Sequence, residues 1–226
     1  MVRHLAFVFM AALAACGGFG TARGAEEPKP ELVPLKLQLP RPMFIGTPVN
    51  LRTPFLEKPS KERRPDPLVP AGTTNVALKK PVSASDDQPT LGELRQVTDG
   101  DKDGIEGSYV EIGPGKQHFQ IDLKEQYRIY VIVVWHYHNQ ARVYRDVVVQ
   151  LADDPQFTAN VRTVFNNDQD NSLGFGAGED FEYIETHEGR LIDAKGASAR
   201  YVRLYTNGNT DNDLNHCTEV EVYGRK

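Results

Sequence analysis

From Phe119 to the C-terminus the chain never holds a helical period. Its apolar and β-branched residues come in short runs: Phe119–Leu123, Ile129–Tyr137, Val143–Leu151, Val161–Phe165, Phe181–Ile184, Tyr201–Tyr205 and Thr218–Tyr223. Between them stand Gly113-Pro114-Gly115, Asn166 to Asn171, and Asn207 to Asp213. Gly, Asn and Asp supply the left-handed backbone and the Asx turns that tight connections demand. Runs of this length and spacing build sheets, so the pattern predicts an all-β sandwich domain of about 150 residues. One run is apolar on both of its sides: Ile129-Tyr130-Val131-Ile132-Val133-Val134-Trp135. Such a segment is expected to be a central strand covered on both faces. Only Leu94 to Val97 suggests a helical turn, and there is no internal repeat.

The first 71 residues are of another character. Met1 to Cys16 has a basic start (Arg3, His4), an apolar stretch from Leu5 to Ala15, and Leu13-Ala14-Ala15-Cys16 at its end. This reads as a secretion signal, with an apolar run too short to span a bilayer. The small residues before Cys16 are similar to a bacterial lipobox, which would make Cys16 a lipidated first residue of the mature chain. A second cut, after Ala22-Arg23-Gly24, suits ordinary signal peptidase and would release a soluble protein. Both place the mature chain outside the cytoplasm. Lipidation is the expectation carried forward, and because Gly17 stands where Asp would favour inner-membrane retention, the outer membrane or cell surface is the expected place.

From Glu26 to Pro70 lie eleven of the fifteen prolines, and no helical period survives between them, which describes an extended spacer. Residues 17–71 carry nine Lys/Arg against six Asp/Glu, a net of +3, whereas residues 72–226 carry sixteen against twenty-five, a net of −9. The break puts the start of the domain near residue 72. Leu32 to Leu51 is richer in apolar residues than a solvated spacer needs: Val33, Leu35, Leu37, Leu39, Met43, Phe44, Ile45 and Val49. This part of the tether is expected to dock on the domain.

With a net charge of −5 the chain offers no general field for a nucleic-acid backbone. Two cysteines, Cys16 and Cys217, exclude a disulfide scaffold and a Cys-rich zinc site. Cys217 then reads as a buried small hydrophobe.

Three segments together resemble one family: Asn75-Val76-Ala77-Leu78-Lys79-Lys80-Pro81-Val82, then Phe119-Gln120-Ile121-Asp122-Leu123, then Arg200-Tyr201-Val202-Arg203-Leu204 followed by Glu219-Val220-Glu221-Val222-Tyr223-Gly224. Residues 72–226 resemble the discoidin, or coagulation factor V/VIII type C, family, which shares the galactose-binding-like β-sandwich with carbohydrate-binding module family 32. The resemblance implies a jelly roll whose loops at one end hold a ligand, most often a sugar in secreted bacterial members. Fold by itself does not decide function.

Gln96-Val97-Thr98-Asp99-Gly100-Asp101-Lys102-Asp103-Gly104 packs three carboxylates and two glycines into nine residues. A hard cation such as Ca²⁺ takes about six to eight oxygens, and a tight turn delivers them by mixing carboxylates with carbonyls. The resemblance implies a structural calcium loop in which Gln96, Asp99, Asp101 and Gly104 contribute, closed by Thr218 and Glu219 on the last strand. Gly104 departs from the hydroxyl residue usual there, so only its carbonyl would bind. The other reading of the run is a solvated acidic turn.

For the ligand face, the strand ending Trp135-His136-Tyr137-His138 runs into a donor-rich loop, Asn139 to Asp146, and the resemblance to sugar-binding members implies, by type and rough position, His138, Arg142 and Arg145 as the leading sugar contacts. Tyr109, Tyr144 and Phe175 are candidate stacking platforms. His136 and His138 share a face by period two and would suit a metal pair, but no third ligand stands at convincing spacing; His136 also reads as a core histidine. Asn207 and Asn209, in the cluster Asn207 to His216, either bond sugar diols or satisfy their own turn backbone. Asn166 to Asn171 admits a second calcium without a diagnostic spacing. There is no nucleophile elbow, phosphate loop or metal-hydrolase signature. The expected function is therefore non-catalytic carbohydrate binding with a structural Ca²⁺ and a glycan partner. The alternative is a surface interaction module that binds protein or lipid without sugar.

Overall fold

The computed structural model describes residues 30–226 except 45–47, 49 and 61. The proposed signal segment with Cys16, and Ile45 and Val49 of the tether, lie outside the described residues. Among the described residues thirteen strands and one 3₁₀ turn follow in chain order: β1 Leu32–Pro34, β2 Leu68–Pro70, β3 Thr74–Asn75, β4 Val82–Ala84, the turn Leu94–Thr98, β5 Val110–Ile112, β6 Gln117–Trp135, β7 Val143–Tyr144, β8 Val148–Ala152, β9 Arg162–Asn166, β10 Tyr183–Ile184, β11 Arg190–Thr206, β12 Asn215–Cys217 and β13 Glu219–Arg225.

The architecture is an all-β jelly-roll sandwich built around one long antiparallel ribbon, β6 with β11. The N-terminal half of β6, at Phe119–Ile121, pairs with β4, while the C-terminal half, from Arg128 to Trp135, pairs with β13. On β11, Tyr201–Tyr205 pairs with β8, which in turn pairs with β9. Register shifts between Asp193 and Ala197 and between Ala199 and Tyr201 interrupt the ribbon, and irregularities of this kind bend strands. Each half of the ribbon thus serves a different layer. Side chains from both meet in the main core, among them Phe119, Ile121, Leu123, Ile129, Ile132, Val134, Val149, Leu151, Val202 and Leu204. The pairs β5–β12 and β7–β10 lie outside this sheet.

The apolar run in β6 has its two faces covered by different partners. Ile132 and Val134 point into the main core. Val131, Val133 and Trp135 point the other way and form a second cluster with Val69 and Tyr223, against which Leu35, Leu37 and Leu39 pack. From Leu32 to Leu39 exposure alternates, with Val33, Leu35, Leu37 and Leu39 turned in. That is the period of an extended segment laid on a sheet. β1 pairs with β2, with Val33 opposite Val69, so the strap is tied on both sides of its long excursion. Glu31–Lys226 packs as one compact unit, and the composition break near Ala71 falls inside it.

Trp135 anchors this second cluster. Its indole N–H donates to the His187 carbonyl at 3.0 Å, and Gly189, at φ +63°, lies so close that a Cβ there would stand 2.7 Å from the indole ring. Left-handed backbone and ring contact both require glycine. Gly189→Ala is expected to cost about 2–3 kcal/mol by strain and overpacking. The control is Gly107→Ala, also at positive φ but with nothing within 4 Å of the added Cβ. Equal urea midpoints for the two variants would show that the Trp135 contact is slack.

Candidate functional site

Past Trp135 the chain turns inward. His136 is wholly buried, its Nδ1 lying 3.1 Å from the Glu185 carboxylate and 3.3 Å from the Tyr183 hydroxyl. Its ring stacks on Tyr144 at 4.2 Å. His138 is also wholly buried, with Nε2 at 2.8 Å from the Lys102 carbonyl, and Gly104 rests directly against its ring. Tyr144 is fully enclosed, and burial pushes its hydroxyl well above the usual phenol range. Two of the expected sugar contacts are thereby corrected: His138 and Tyr144 face the interior. Alternation gave His136 and His138 a shared side, and at this end of the sandwich that side is the core.

Arg142 is 4% exposed. One terminal nitrogen meets the exposed Asp211 carboxylate at 3.0 Å, and the guanidinium lies 4.5 Å over the Tyr137 ring. Its Nε and its other terminal nitrogen are buried without a partner. Tyr137, which sequence reasoning passed over, sits edge-on to Tyr109 at 4.9 Å. Both rings are about 5.8 Å from His216. His216 Nε2 is 3.1 Å from Glu111, and burial, aided by the Arg142 charge, pushes its pKa down to about 4. It is neutral at pH 7. Tyr109 and Tyr137 are both partly exposed, so the loop end presents two tyrosine rings with a buried arginine beneath one of them.

The remaining expected contacts are dispersed. Arg145 is exposed and in no ion pair among the described residues. Asn207 donates to Asp146 at 3.3 Å. Asn209 is buried, and its side chain accepts from the Asp211 and Asn212 amides and donates to the Leu214 carbonyl. Asn209 is therefore a turn-forming residue, which corrects its place among the sugar contacts; its amide is spent on its own loop. Phe175 lies against Tyr205 on the sheet, at 4.4 Å. Cys217 is buried and its thiol is pushed well above the usual range by burial.

The acidic turn folds onto the last strand. Asp99 accepts from the Asp101 amide, Asp101 from the Asp103 amide, and the Ser108 hydroxyl donates to Asp101 at 2.8 Å. Ser108 is a residue the sequence reading missed, since six intervening residues hide the contact. Glu219 is wholly buried; one carboxylate oxygen accepts from the Gly100 amide at 3.1 Å, and the other has no partner. Burial pushes the Glu219 carboxyl up to about 9. Thr218 is buried beside it, its hydroxyl donating to the His136 carbonyl. Gln96 caps the start of the 3₁₀ turn with its side chain, leaving only its carbonyl for a cation. Asp99, Asp101 and Ser108 stand on the turn whose Gly100 amide meets Glu219, oxygen-bearing groups of the type that Ca²⁺ takes, although the carboxylates of Asp99, Asp101 and Glu219 do not converge within 4.8 Å. Among the described residues the three acidic side chains whose oxygens converge within 4.8 Å are others, Asp146, Asp168 and Asp170. Asp168 already accepts from Ser172 and Leu173.

No protein-family model and no curated protein matches the chain. Solved structures do. The Clostridium perfringens module CpGH89CBM32-4, in complex with GlcNAc-α-1,4-galactose, is 16% identical over 69% of this chain and 96% of its own, with a TM-score of 0.51. Chitosan-binding module 1 of a chitosanase/glucanase from Paenibacillus sp. IK-5 is 18% identical over 67% of this chain and 99% of its own, at 0.47. A fucose-binding module of Streptococcus pneumoniae, SpX-3, is 19% identical over 68% and 99%, also at 0.47. At such identities a likeness speaks to the fold, and on the likeness to the Clostridium module, with the bent antiparallel ribbon described above, this chain has the galactose-binding-like jelly-roll fold.

Proposed function

We propose that this chain is a non-catalytic carbohydrate-binding domain, held outside the cytoplasm by a lipid on Cys16 and stabilised by one calcium ion. The observation that carries the sugar reading is the pair of partly exposed rings at the loop end, Tyr109 and Tyr137, 4.9 Å apart. Arg142, buried under the Tyr137 ring, holds the exposed Asp211 carboxylate next to it at 3.0 Å. Rings that stack and a carboxylate that accepts suit a pyranose, whose apolar face packs on an aromatic while its hydroxyls donate. Solved proteins of this fold include modules that bind sugars. The His136–Glu185 pair supports a non-catalytic role, because a histidine and carboxylate at 0% and 1% exposure reach no substrate.

The calcium would be held by Glu219, Asp99, Asp101 and the carbonyls of Gln96, Gly104 and Thr218, with Ser108 beside them. Such an ion ties the turn after the 3₁₀ segment to β13 and acts on stability.

The second reading, an interaction module without sugar binding, is favoured by the burial of His138, Tyr144 and Asn209. A glycan array with the full chain separates the two. Saturable binding is expected, weakened at least tenfold in Tyr137→Ala and in Tyr109→Ala at unchanged melting temperature. Silence on a broad array would overturn the sugar reading, and wild-type binding in both variants would overturn its placement at these two rings.

A further inference from the structure

On the face of the sheet opposite the main core, basic side chains gather around Tyr205, and among the described residues no carboxylate is paired with Lys116 or Arg203. Arg203 and Tyr205 on β11 stand opposite Gln120 and His118 on β6. Period two points all four to the side away from Phe119, Ile121, Val202 and Leu204. The Arg203 guanidinium lies 3.9 Å over Phe157 and 5.7 Å from the Tyr205 ring centre. Its hydrogen bonds end on the Gln120 side-chain oxygen, the Tyr205 hydroxyl and the Pro155 carbonyl, all neutral. Lys116 Nζ lies 4.1 Å over Phe175 and 5.7 Å from the same Tyr205 ring, and donates to the Leu173 carbonyl. The His118 ring is 5.5 Å from Tyr205. Its pKa is pushed down to about 4, by burial first and then by Arg203 and Lys116.

Three other cations on this sandwich are matched: Arg200 with Asp122, Arg190 with Glu57, Lys102 with Glu221. In a chain of net charge −5, two cations facing one ring with only neutral partners form a local positive strip. Isolated charges held over aromatic faces keep their attraction for an anion, because a π face does not neutralise them.

We propose that this strip binds the acidic groups of an anionic glycan, carboxylate or sulfate, with Lys116 and Arg203 meeting the charge and His118 and Gln120 meeting the hydroxyls. A nucleic acid is disfavoured, since the domain is acidic as a whole and the cations already occupy the Phe157 and Phe175 faces on which bases would stack. The inference rests on the chain being a glycan binder, but on a different surface from the loop end.

Calorimetric titration of the full chain with polygalacturonate, chondroitin sulfate and neutral galactan, at low and high salt, tests it. At least one acidic polymer is expected to bind at least tenfold more tightly than galactan, with affinity falling as salt rises. Polygalacturonate carries carboxylates alone and chondroitin sulfate both groups, so binding of the second without the first assigns the recognition to sulfate. Lys116→Gln/Arg203→Gln is expected to bring the acidic polymers down to the galactan level and to leave galactan unchanged. Lys116→Gln alone, on an exposed side chain, should lower acidic affinity at least threefold without touching the fold. Galactan binding without preference for acidic polymers, or wild-type acidic affinity in the double variant, overturns this inference and leaves the carbohydrate-binding reading standing. Binding to none of the three, at either salt, overturns this inference, and the glycan array then decides whether the carbohydrate-binding reading falls with it.

Discussion

Leu35→Ala/Leu37→Ala/Leu39→Ala is expected to lower the stability of the folded chain by about 3–5 kcal/mol. The three leucines are half-buried against Val131, Val133, Trp135 and Tyr223, so each is worth less than a fully enclosed leucine, about 1–1.5 kcal/mol. Set against a native stability of about 5–15 kcal/mol, the sum is large, and at about 2–4 °C per kcal/mol the melting temperature falls by roughly 10 °C. Removing residues 30–71 altogether should do more. It strips the cover from the second face of β6 and exposes a contiguous apolar patch, which drives association. Urea denaturation of the triple variant and light scattering of the truncated chain are the measurements. A soluble, cooperatively folding 72–226 with an unchanged midpoint would mean that the strap contributes nothing to the sandwich.

Saturating calcium is expected to raise the melting temperature by about 5–15 °C at pH 8, given the cation site proposed above. Binding at a hundred to a thousand times the dissociation constant contributes about 2.7–4.1 kcal/mol. The sign of the pH dependence follows from Glu219. Its carboxyl is pushed up to about 9 by burial, above the value near 4.5 expected unfolded. Without the ion the folded state therefore holds a proton that the unfolded state has lost. Stability is full below about pH 4.5 and declines towards pH 9, by at most about 1.4 kcal/mol per unit. Calcium replaces that proton, so its benefit should be large at pH 8 and small at pH 5. Glu219→Gln keeps the shape and removes the charge. It should melt independently of calcium, with a flatter pH profile in chelator. Differential scanning calorimetry decides: no calcium shift in the parent chain, or the same shift in Glu219→Gln, would remove Glu219 from any cation site.

These expectations rest on features of unequal legibility. The central strand was legible because Ile129–Trp135 has no polar side, and a strand of that kind must be covered twice. The strap's apolar excess was legible too, in Leu35, Leu37 and Leu39. The candidate site was harder. His138, Arg142 and Tyr144 have the right chemistry in the right loop, yet the first and last are spent inside the core. Tyr137 and Ser108 carry no local mark, and their partners come from Arg142 and Asp101 through turns of the chain.

The sequence by itself determined what depends on neighbours along the chain: the all-β class, the strand positions, the turns, and which side chains share a face, since strand alternation is local. Only the tertiary structure decided which of those faces is core and which is water. It decided that Leu35 meets Val131 and Val133, that Glu219 loses its solvent beside Asp99, and that Arg203 and Tyr205 stand over Gln120 and His118. These are contacts between segments far apart in the chain, set by how the β6–β11 ribbon bends and by what packs on each side of it, and a one-dimensional pattern holds no term for that geometry.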